Sequence, residues 1–501
     1  MLGIWSNIPI RIICWLYFDI ISYGNGFITL GRITVWILNP SDTVNSKVLA
    51  IAVVAIIVVA AAAVAVMALN NGSDKDKVTI DAGNLVYGNA NNDAYINSDD
   101  VSFIQDIIDG KKTWDEEKNP LADANNDGAI TKADIDQVNM IINNKPGKVW
   151  YQTYLGWPME ITYPLVDRNI FVSYWQQAEA AAVLGIWDDV KVANAYVTQV
   201  KTHQYDLSHV VEVESVSTNN WYDTTFATFA DEDIDLIMVT PNQNNYDKCK
   251  AGYMDTHPNC EILLLSHVGS NAMSAMLTMG ILFNKEDRAE AYAEYCFGAI
   301  KDIQDRISNV EKKNVMVTMT TPKGSRTAVC CGTAYEGSVN LMSQIANVYT
   351  GDAQTAYGQT VKDQLWYTED AQDKWKVIFM NYSSIDWFTC ESQQQYNEYF
   401  DKVAAFFEGT EAYKNNGMCA MPYVCGGYAS YAMAYYCAWY LYPELFTQEE
   451  AEKNLQYWFD NFCCQDNTYF GTKQYTAKNA FIFYTGDNYT TLVQKYQKEN
   501  A

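Results

Sequence analysis

Several marks of catalysis and metal binding are missing from this chain. None of its 12 cysteines forms a CxxC pair, which removes the sign of a zinc ribbon or a thioredoxin-type dithiol. There is no GxSxG elbow, no HExxH and no P-loop, so serine hydrolases, zinc peptidases and nucleotide hydrolases lack their sequence mark. Only four histidines occur, His203, His209, His257 and His267. None is spaced as a metal-binding pair on one helix face, so core or surface positions are expected for them. Basic residues are also scarce, with 34 Lys and Arg against 60 Asp and Glu, for a net charge of −26. A phosphate backbone needs cations to neutralise it, which argues against nucleic acid as a partner. An acidic surface suits an extracellular or cation-binding protein.

The 501 residues are too many for one ordinary domain, and two or three folded units are expected. Aromatics are plentiful, with 36 Tyr and 14 Trp. Asn and Tyr rise together, so most of this is compositional bias, leaving a few rings for ligand stacking. Cysteines pair up at Cys330-Cys331 and Cys463-Cys464. Cys249 and Cys260 flank a loop and are either a disulfide in an oxidising compartment or two buried thiols.

Val48 to Leu69 is an unbroken apolar run of 22 residues. As a helix it spans roughly 33 Å, enough for a bilayer core. Secretory signal cores are shorter, about 7–15 residues, so a retained anchor over 47–70 is expected, with cleavage near its Ala-rich end as the alternative. Arg11, Arg32 and Lys47 precede the run, and Asp74 and Asp76 follow it, mixed with Lys75 and Lys77. The positive-inside rule puts the N-terminus in the cytoplasm and everything after about residue 70 outside the cell. Residues 1–46 form a hydrophobic extension. Ile13 to Leu30 within it is either an imperfect second membrane segment or a stretch upstream of the true start.

Residues 89–100 read N-A-N-N-D-A-Y-I-N-S-D-D, and 123–134 read D-A-N-N-D-G-A-I-T-K-A-D, aligned without gaps 34 residues apart. An EF-hand-type calcium loop needs oxygen ligands at positions 1, 3, 5, 9 and 12, a carbonyl at 7 and a tight turn at 6. The second loop supplies Asp123, Asn125, Asp127, Thr131 and Asp134, the Ala129 carbonyl and Gly128. The first supplies Asn89, Asn91, Asp93, Asn97 and Asp100, with the Tyr95 carbonyl. Mixed carboxylates and amides suit Ca2+ better than zinc or copper. Ile96 and Ile130 at position 8 can pair the loops. A short amphipathic helix follows each loop, with Phe103, Ile104, Ile107 and Ile108 on the first and Ile135, Val138, Ile141 and Ile142 on the second. Gly110 should stop the first helix.

Twin loops ending in Asp, each followed by a helix, with no helix before the first, resemble a type I dockerin, here a small all-α module over about 84–146. The resemblance implies calcium-dependent folding and docking onto a cohesin-like protein. Its contacts would come from loop positions 10 and 11, which are Ser98-Asp99 and Lys132-Ala133. The two pairs differ, which weakens the case for dual, symmetric binding. Asn89 stands where the family has Asp, so the first site has two carboxylates and should be weaker. Ala94 replaces the turn glycine, and a Cβ at a position needing positive φ adds a cost.

Lys145-Pro146-Gly147-Lys148 reads as a linker. Beyond it, Asn169–Val172, Ile234–Val239 and Ile262–Leu265 read as strands, and Gln176–Leu184 as a helix stopped by Gly185. The alternation implies a mostly parallel α/β sheet. Lys285 to Val310 lacks Pro and carries Ala289, Tyr292, Ala293, Cys296, Ile300, Ile303 and Ile307 on a helical period. Val315–Met319 then restarts the pattern. This region resembles the substrate-binding proteins of iron-siderophore and cobalamin ABC transporters. The resemblance is carried by Trp175–Val190, Asp233–Pro241 and Tyr440–Thr447, in that order along most of 160–465. The family's opening “D–GR–V–P” is only echoed by Pro164-Leu165-Val166-Asp167-Arg168.

The resemblance implies two α/β lobes, 150–283 and 312–501, joined by one long helix over 284–311, with a rigid cleft between them. Ligand contacts would come from Ser173, Tyr174, Trp175, Thr240 and Pro241 in the first lobe. The second lobe would supply Cys331, Gly332, Tyr335, Gly426, Gly427 and Tyr428. The expected protein is a membrane-anchored extracellular solute-binding protein, not an enzyme. It would capture a small-molecule metal chelate, an iron-siderophore or corrinoid, for an ABC permease. The alternatives are a polysaccharide-degrading enzyme, since dockerins commonly ride on those, and a surface adhesion protein. A glycosidase needs two carboxylates in one cleft, about 5–9.5 Å apart, and no segment nominates them.

Overall fold

The computed structural model describes residues 22–23, 27–28, 477 and most of 78–463. Within that last span, residues 196, 198–206, 214, 218–219, 225–231, 240–241, 321–328, 331–336, 349–376, 383–399, 401–403, 405–406, 409, 416 and 423–426 are not described. The chain divides into two units, Met1–Lys77 and Val78–Ala501. In the first, β1 (Ser22–Tyr23) and β2 (Phe27–Ile28) pair antiparallel, inside the stretch weighed as a second membrane segment. Val48–Leu69 lies outside the described residues. Among the described residues, no helix is long and apolar enough to cross a membrane.

The second unit begins with the two loops and their helices, α1 (Ser98–Ile108) and α2 (Lys132–Ile142). Each helix starts in a reciprocal capping box. Asn97 and Thr131 accept N–H groups of the first turn, while Asp100 and Asp134 accept the cap N–H at 2.8 and 2.7 Å. Such caps satisfy donors that the helix itself leaves free. The first helix ends at Asp109, and Gly110 follows at φ +72°, a left-handed turn that glycine adopts without cost.

A linker was expected at 145–148. Instead, Gly147 and Lys148 open β3 (Gly147–Gln152), which pairs antiparallel with β4 (Pro158–Tyr163). The hairpin fuses the loop module to the α/β region beyond it. Val149 and Tyr151 are fully buried, and Tyr87 N–H and Gln152 N–H bond to the carbonyls of Trp150 and Leu85. Tyr163 Oη donates to the Ile141 carbonyl at 3.1 Å. Val86, Ala94 and Ile141 belong to the same core as the α/β strands. The physical reason is burial, since each fully buried apolar side chain contributes about 1.5–3 kcal/mol only while its covering partner stays in place.

The first α/β part comprises β5 (Ile170–Val172), α3 (Trp175–Leu184), β6 (Val190–Asn194), β7 (Val211–Val213), a side hairpin of β8 (Ser215–Ser217) and β9 (Asn220–Thr224), β10 (Leu236–Met238), α4 (Gln243–Cys249), β11 (Glu261–Leu263) and α5 (Asn271–Leu282). Its sheet runs β11-β10-β5-β6-β7, parallel throughout. Arg168 pins its amino ends, with Nε on Asp235 and Nη2 on Glu261, each at 3.0 Å. Cys249 and Cys260 are buried thiols in one cluster with β10 and β11, not a disulfide. Burial pushes both up to about 12.

Next comes α6 (Glu286–Ile307), whose buried face is Ala289, Tyr292, Ala293, Cys296, Ala299, Ile300, Ile303 and Ile307. That is the periodic stripe of the sequence with Ala299 added. The second part holds β12 (Asn314–Thr320), β13 (Val329–Cys330), α7 (Gly337–Ile345), β14 (Asn347–Val348), β15 (Val377–Tyr382), α8 (Glu411–Lys414), β16 (Met418–Pro422), a 3₁₀ turn over Tyr428–Met433, α9 (Ala434–Leu441) and α10 (Gln448–Trp458). Here β14 and β15 pair with β12 in parallel, β16 pairs with β15 in parallel, and only β13 runs antiparallel. The fold is therefore α/β, with two sheets joined through one 22-residue helix.

Candidate functional site

Two groups of residues have the makings of a site. The first is the paired loops. In the second loop, Asp127 N–H donates to Asp123 Oδ1 at 3.1 Å and to Asn125 Oδ1 at 3.0 Å, and Gly128 N–H donates to Asp123 Oδ2 at 2.8 Å. Ala129 N–H reaches Asp127 Oδ1 at 3.0 Å, and Asn125 N–H reaches Asp134 Oδ1 at 3.2 Å. Asn126 and Gly128 take positive φ, 55° and 88°. The side-chain oxygens of positions 1, 3, 5 and 12 thus turn inward. Burial pushes the Asp134 carboxyl up, and the charges of Asp123 and Asp127 push the same way. Three carboxylates that repel one another suit a divalent cation, and hard oxygen donors with a carbonyl suit Ca2+. Among the described residues, no three His, Cys, Asp or Glu side chains form a ready-made metal cluster. The donor set here is instead shared among carboxylates, an amide and a carbonyl.

The first loop keeps the same frame. Asp93 N–H donates to Asn89 Oδ1 and Asn91 Oδ1, Tyr95 N–H to Asp93 Oδ1, and Asn91 N–H to Asp100 Oδ1. It departs at two points. Positive φ falls on Asn92, at 60°, as on Asn126 of the second loop, but Ala94, unlike Gly128, does not take it, so the expected strain at Ala94 is absent. In addition, Asn89 is fully buried, and its amide donates to the carbonyls of Asn84 at 2.9 Å and Asp93 at 2.7 Å. Asn84 Nδ2 also lies 3.3 Å from the Tyr95 carbonyl, the ligand expected at position 7. Two side-chain amides hold this loop closed. The position-10 and -11 residues Ser98, Asp99, Lys132 and Ala133 are exposed, whereas Asn97 is half-buried and Thr131 is exposed.

The second group lies where the two α/β parts meet. Ser173, Tyr174 and Trp175 follow β5, with Ser173 N–H still paired to the Met238 carbonyl at 3.0 Å. Ser173 and Trp175 are buried, while Tyr174 is half-buried. Gly427 and Tyr428 follow β16. A Cβ on Gly427 would come within 2.1 Å of Glu179 Oε2 and 2.5 Å of Trp175 Cζ3, so the two parts touch here. Of the remaining expected contacts, Thr240, Pro241, Cys331, Gly332, Tyr335 and Gly426 lie outside the described residues.

Three residues that bind this junction together were not singled out as site residues in the sequence. Glu179, buried in α3, accepts Tyr428 N–H at 2.7 Å and Ala429 N–H at 3.2 Å. His267, just past β11, has Nδ1 2.7 Å from Tyr428 Oη. Burial holds this imidazole down to about 3, so it is neutral at physiological pH. Tyr292, on α6, donates to the Tyr428 carbonyl at 2.9 Å. A signal for Glu179 existed. It is the lone charge in Trp-Gln-Gln-Ala-Glu-Ala-Ala-Ala-Val-Leu, and a buried carboxylate requires a partner. Beside Tyr428 lies a pocket of about 210 Å³ that Gly427, Tyr428, His267 and Tyr292 help to line.

Solved structures offer a comparison for this arrangement. The chain is similar to several solved structures. One is the TroA-like periplasmic binding protein FepB of Veillonella parvula, at 13% identity and a TM-score of 0.49, covering 67% of this chain and 99% of that one. Another is CeuE of Helicobacter pylori, in a nickel–histidine complex, at 15% identity and 0.47, covering 66% and 100%. A third is S. aureus IsdE complexed with heme, at 11% identity and 0.41, covering 55% and 99%. No protein-family model and no curated protein matches the chain. The likeness concerns fold alone.

Of the other histidines, His257 stacks on Tyr253 at 3.9 Å and His209 sits against Trp187, which are packing roles. His203 lies outside the described residues.

Proposed function

We propose that the chain is a solute-binding protein that holds its ligand at the junction of the two α/β lobes. One observation carries this reading. Residues just beyond the carboxyl ends of β5, β11 and β16 come together there, in the contacts of Gly427 with Trp175 and of Tyr428 with His267. In open α/β sheets, ligands bind outside the carboxyl ends of the strands. A single helix joining the lobes suits a rigid binder with little hinge motion. The ligand, by family resemblance, is a metal chelate of the iron-siderophore or corrinoid class. It would rest on Tyr174, Thr240, Pro241, Cys331, Gly332, Tyr335 and Gly426 and pass to an ABC permease. No reaction is assigned. Among the residues lining the pocket the only carboxylate is Asp81, and Glu179 is taken up by backbone N–H groups, so an acid–base pair of glycosidase type finds no support there.

The same reading takes Val48–Leu69 as the membrane anchor, with the bulk of the chain extracellular. The loops would bind calcium, the second through Asp123, Asn125, Asp127, Ala129 O, Thr131 and Asp134. The first, through Asn89, Asn91, Asp93, Tyr95 O, Asn97 and Asp100, would bind more weakly. A cohesin-like partner would contact Ser98, Asp99, Lys132 and Ala133. Ile108 and Ile142, equivalent positions in the two helices, stay 40% and 39% exposed and would extend that surface.

The test is to titrate the full chain with ferric chelates and corrinoids and follow tryptophan fluorescence. A saturable response is expected, and silence across the panel would sink the chelate reading. Calorimetry with calcium should give two unequal sites, the tighter one lost in Asp123→Ala.

A further inference from the structure

The pocket beside Tyr428 has a chemistry that a chelate does not explain. Its volume is about 210 Å³, room for about seven waters at ~30 Å³ each and below the range of about 300–1,000 Å³ usual for drug-sized ligands. Its walls carry the aromatic side chains Tyr292, Phe297, Tyr428 and Tyr431. Asp81, exposed, supplies a carboxylate, and no Lys or Arg is among the lining residues. Lys312, whose ammonium lies 3.2 Å from the carbonyl of the lining residue Gln344, is not one of them.

Two helix N-termini border the pocket and would ordinarily favour an anion. At each, two of the first donors are already taken. At α5, Asn271 N–H bonds to the Val268 carbonyl and Ala272 N–H to the Gly269 carbonyl. At the 3₁₀ turn, Tyr428 and Ala429 N–H are held by Glu179.

What is left facing a ligand is acceptor-rich. Ser430 lines the pocket, is 1% exposed, and its hydroxyl has no hydrogen-bond partner among the described residues. Tyr428 Oη donates to the Ala272 carbonyl at 3.2 Å, so it accepts from His267 Nδ1–H, leaving the Nε2 lone pair free to accept. A buried hydroxyl without a partner is costly unless water or a ligand meets it.

We propose that this pocket binds a small organic cation, an alkyl- or trimethylammonium compound carrying one hydrogen-bonding group. The rings and Asp81 hold the cationic head, and Ser430 and His267 take the polar group. Aromatic faces attract such heads electrostatically, more strongly once both are out of water. The proposal rests on the reading of the lobe junction as a solute site and names a ligand class for its inner part.

The experiment uses the full chain and three probes of nearly equal shape: choline, its uncharged isostere 3,3-dimethylbutan-1-ol, and the anion 3,3-dimethylbutanoate. Calorimetry should show choline binding at one site at least ~10-fold more tightly than the alcohol, with no binding of the anion. Asp81→Asn, at an exposed position, should erase most of choline's advantage and leave the alcohol unchanged. Ser430→Ala should weaken choline and the alcohol alike, because both use the hydroxyl contact. Circular dichroism and melting temperature show whether the variants fold. The proposal is overturned if choline fails to bind, binds no better than the alcohol, or keeps its preference in folded Asp81→Asn. The chelate panel separates this from the broader reading. A chelate response without choline binding rejects the small cation alone, and choline binding without a chelate response keeps the junction and rejects the chelate.

Discussion

The carboxylate of Glu179 accepts the backbone N–H of Tyr428 across the lobe junction at 2.7 Å. All ten residues of α3 are buried, so this charge is out of water and is held by the first donors of the 3₁₀ turn. Hydrogen bonds to a charged group are worth about 1.5–3 kcal/mol. Glu179→Gln keeps the shape but sets an NH2 group against one of two N–H donors. A loss of about 2–3 kcal/mol in urea unfolding is expected. An unchanged midpoint would mean that the carboxylate does not clasp the lobes.

Gly427 is required by proximity and not by its backbone angle, since its φ is −113°. A methyl group there meets Glu179 and Trp175 well inside contact distance. Gly427→Ala should destabilise by about 1–3 kcal/mol, the usual cost of overpacking, and should weaken any ligand that rests on Tyr428. Combined with Glu179→Gln, the two losses should fall short of additive, because they act on one contact. Full additivity in the double mutant would show that they are independent.

His267 gives the protein an acid limb. Its folded value is held near 3 by burial, against about 6.5 in an unfolded chain. The unfolded state therefore takes up the proton first, and stability falls as pH drops from about 6.5 toward 3, by up to ~1.4 kcal/mol per pH unit. Above about 6.5 the residue adds no pH dependence. Asn can imitate the Nδ1 side of the ring but does not titrate, so His267→Asn should flatten this limb. Urea midpoints at pH 7, 5 and 4 that fall in parallel for both proteins would contradict the neutral, buried histidine.

What could be read in the sequence was whatever repeats or has a period. The stripe Ala289, Tyr292, Ala293, Cys296, Ile300, Ile303 and Ile307 is a 3.6-residue pattern, and the helix lies where that pattern put it. The loops at 89 and 123 were legible as a gapless repeat, each ending in an Asp that caps the helix after it. Tertiary pairings leave no local trace, and these were missed. Nothing near Lys145 says that Gly147 begins a strand, because the partner that decides it, Tyr163, is a hairpin away. Glu179 and Tyr428 are 249 residues apart. Ser173 and Trp175 follow a strand as a binding residue would, yet both are buried, and Gly427 of the opposing lobe packs on Trp175. The turn at Ala94 went astray for a similar reason. Backbone shape there also follows Asn84, which bonds to the Asn89 amide and the Tyr95 carbonyl from outside the 12-residue pattern.

Asn89 is the residue that distinguishes the two loops. Its amide hydrogens satisfy the carbonyls of Asn84 and Asp93, which an Asp could not do. Asn89→Asp should therefore destabilise the calcium-free protein by about 1–3 kcal/mol, since a buried carboxylate would face two carbonyls. With calcium the sign should reverse, because a third carboxylate strengthens the site. Melting temperature with chelator and with excess calcium should show a lower apo value and a larger calcium shift than wild type. An equal calcium shift in both proteins would mean that the first loop takes no metal.

Tyr95 links that loop to the helix joining the lobes. Its carbonyl stands at the expected position 7, and its hydroxyl donates to Glu290 Oε1 on α6 at 2.8 Å. An ion held by the carbonyl would fix the residue, and the hydroxyl would pass that restraint to α6. The loop module shares a core with the α/β part, so calcium should steady the lobes as well as the loops. Tyr95→Phe keeps the ring and the carbonyl and removes only the bond to Glu290, worth about 1.5–3 kcal/mol as a bond to a charged acceptor and less where water reaches it. Hydrogen exchange along 286–307 should slow on adding calcium in the wild type, and that slowing should shrink in Tyr95→Phe while the calcium affinity measured by calorimetry changes little. If calcium protects α6 equally in both proteins, the coupling runs through the shared core and not through this hydroxyl.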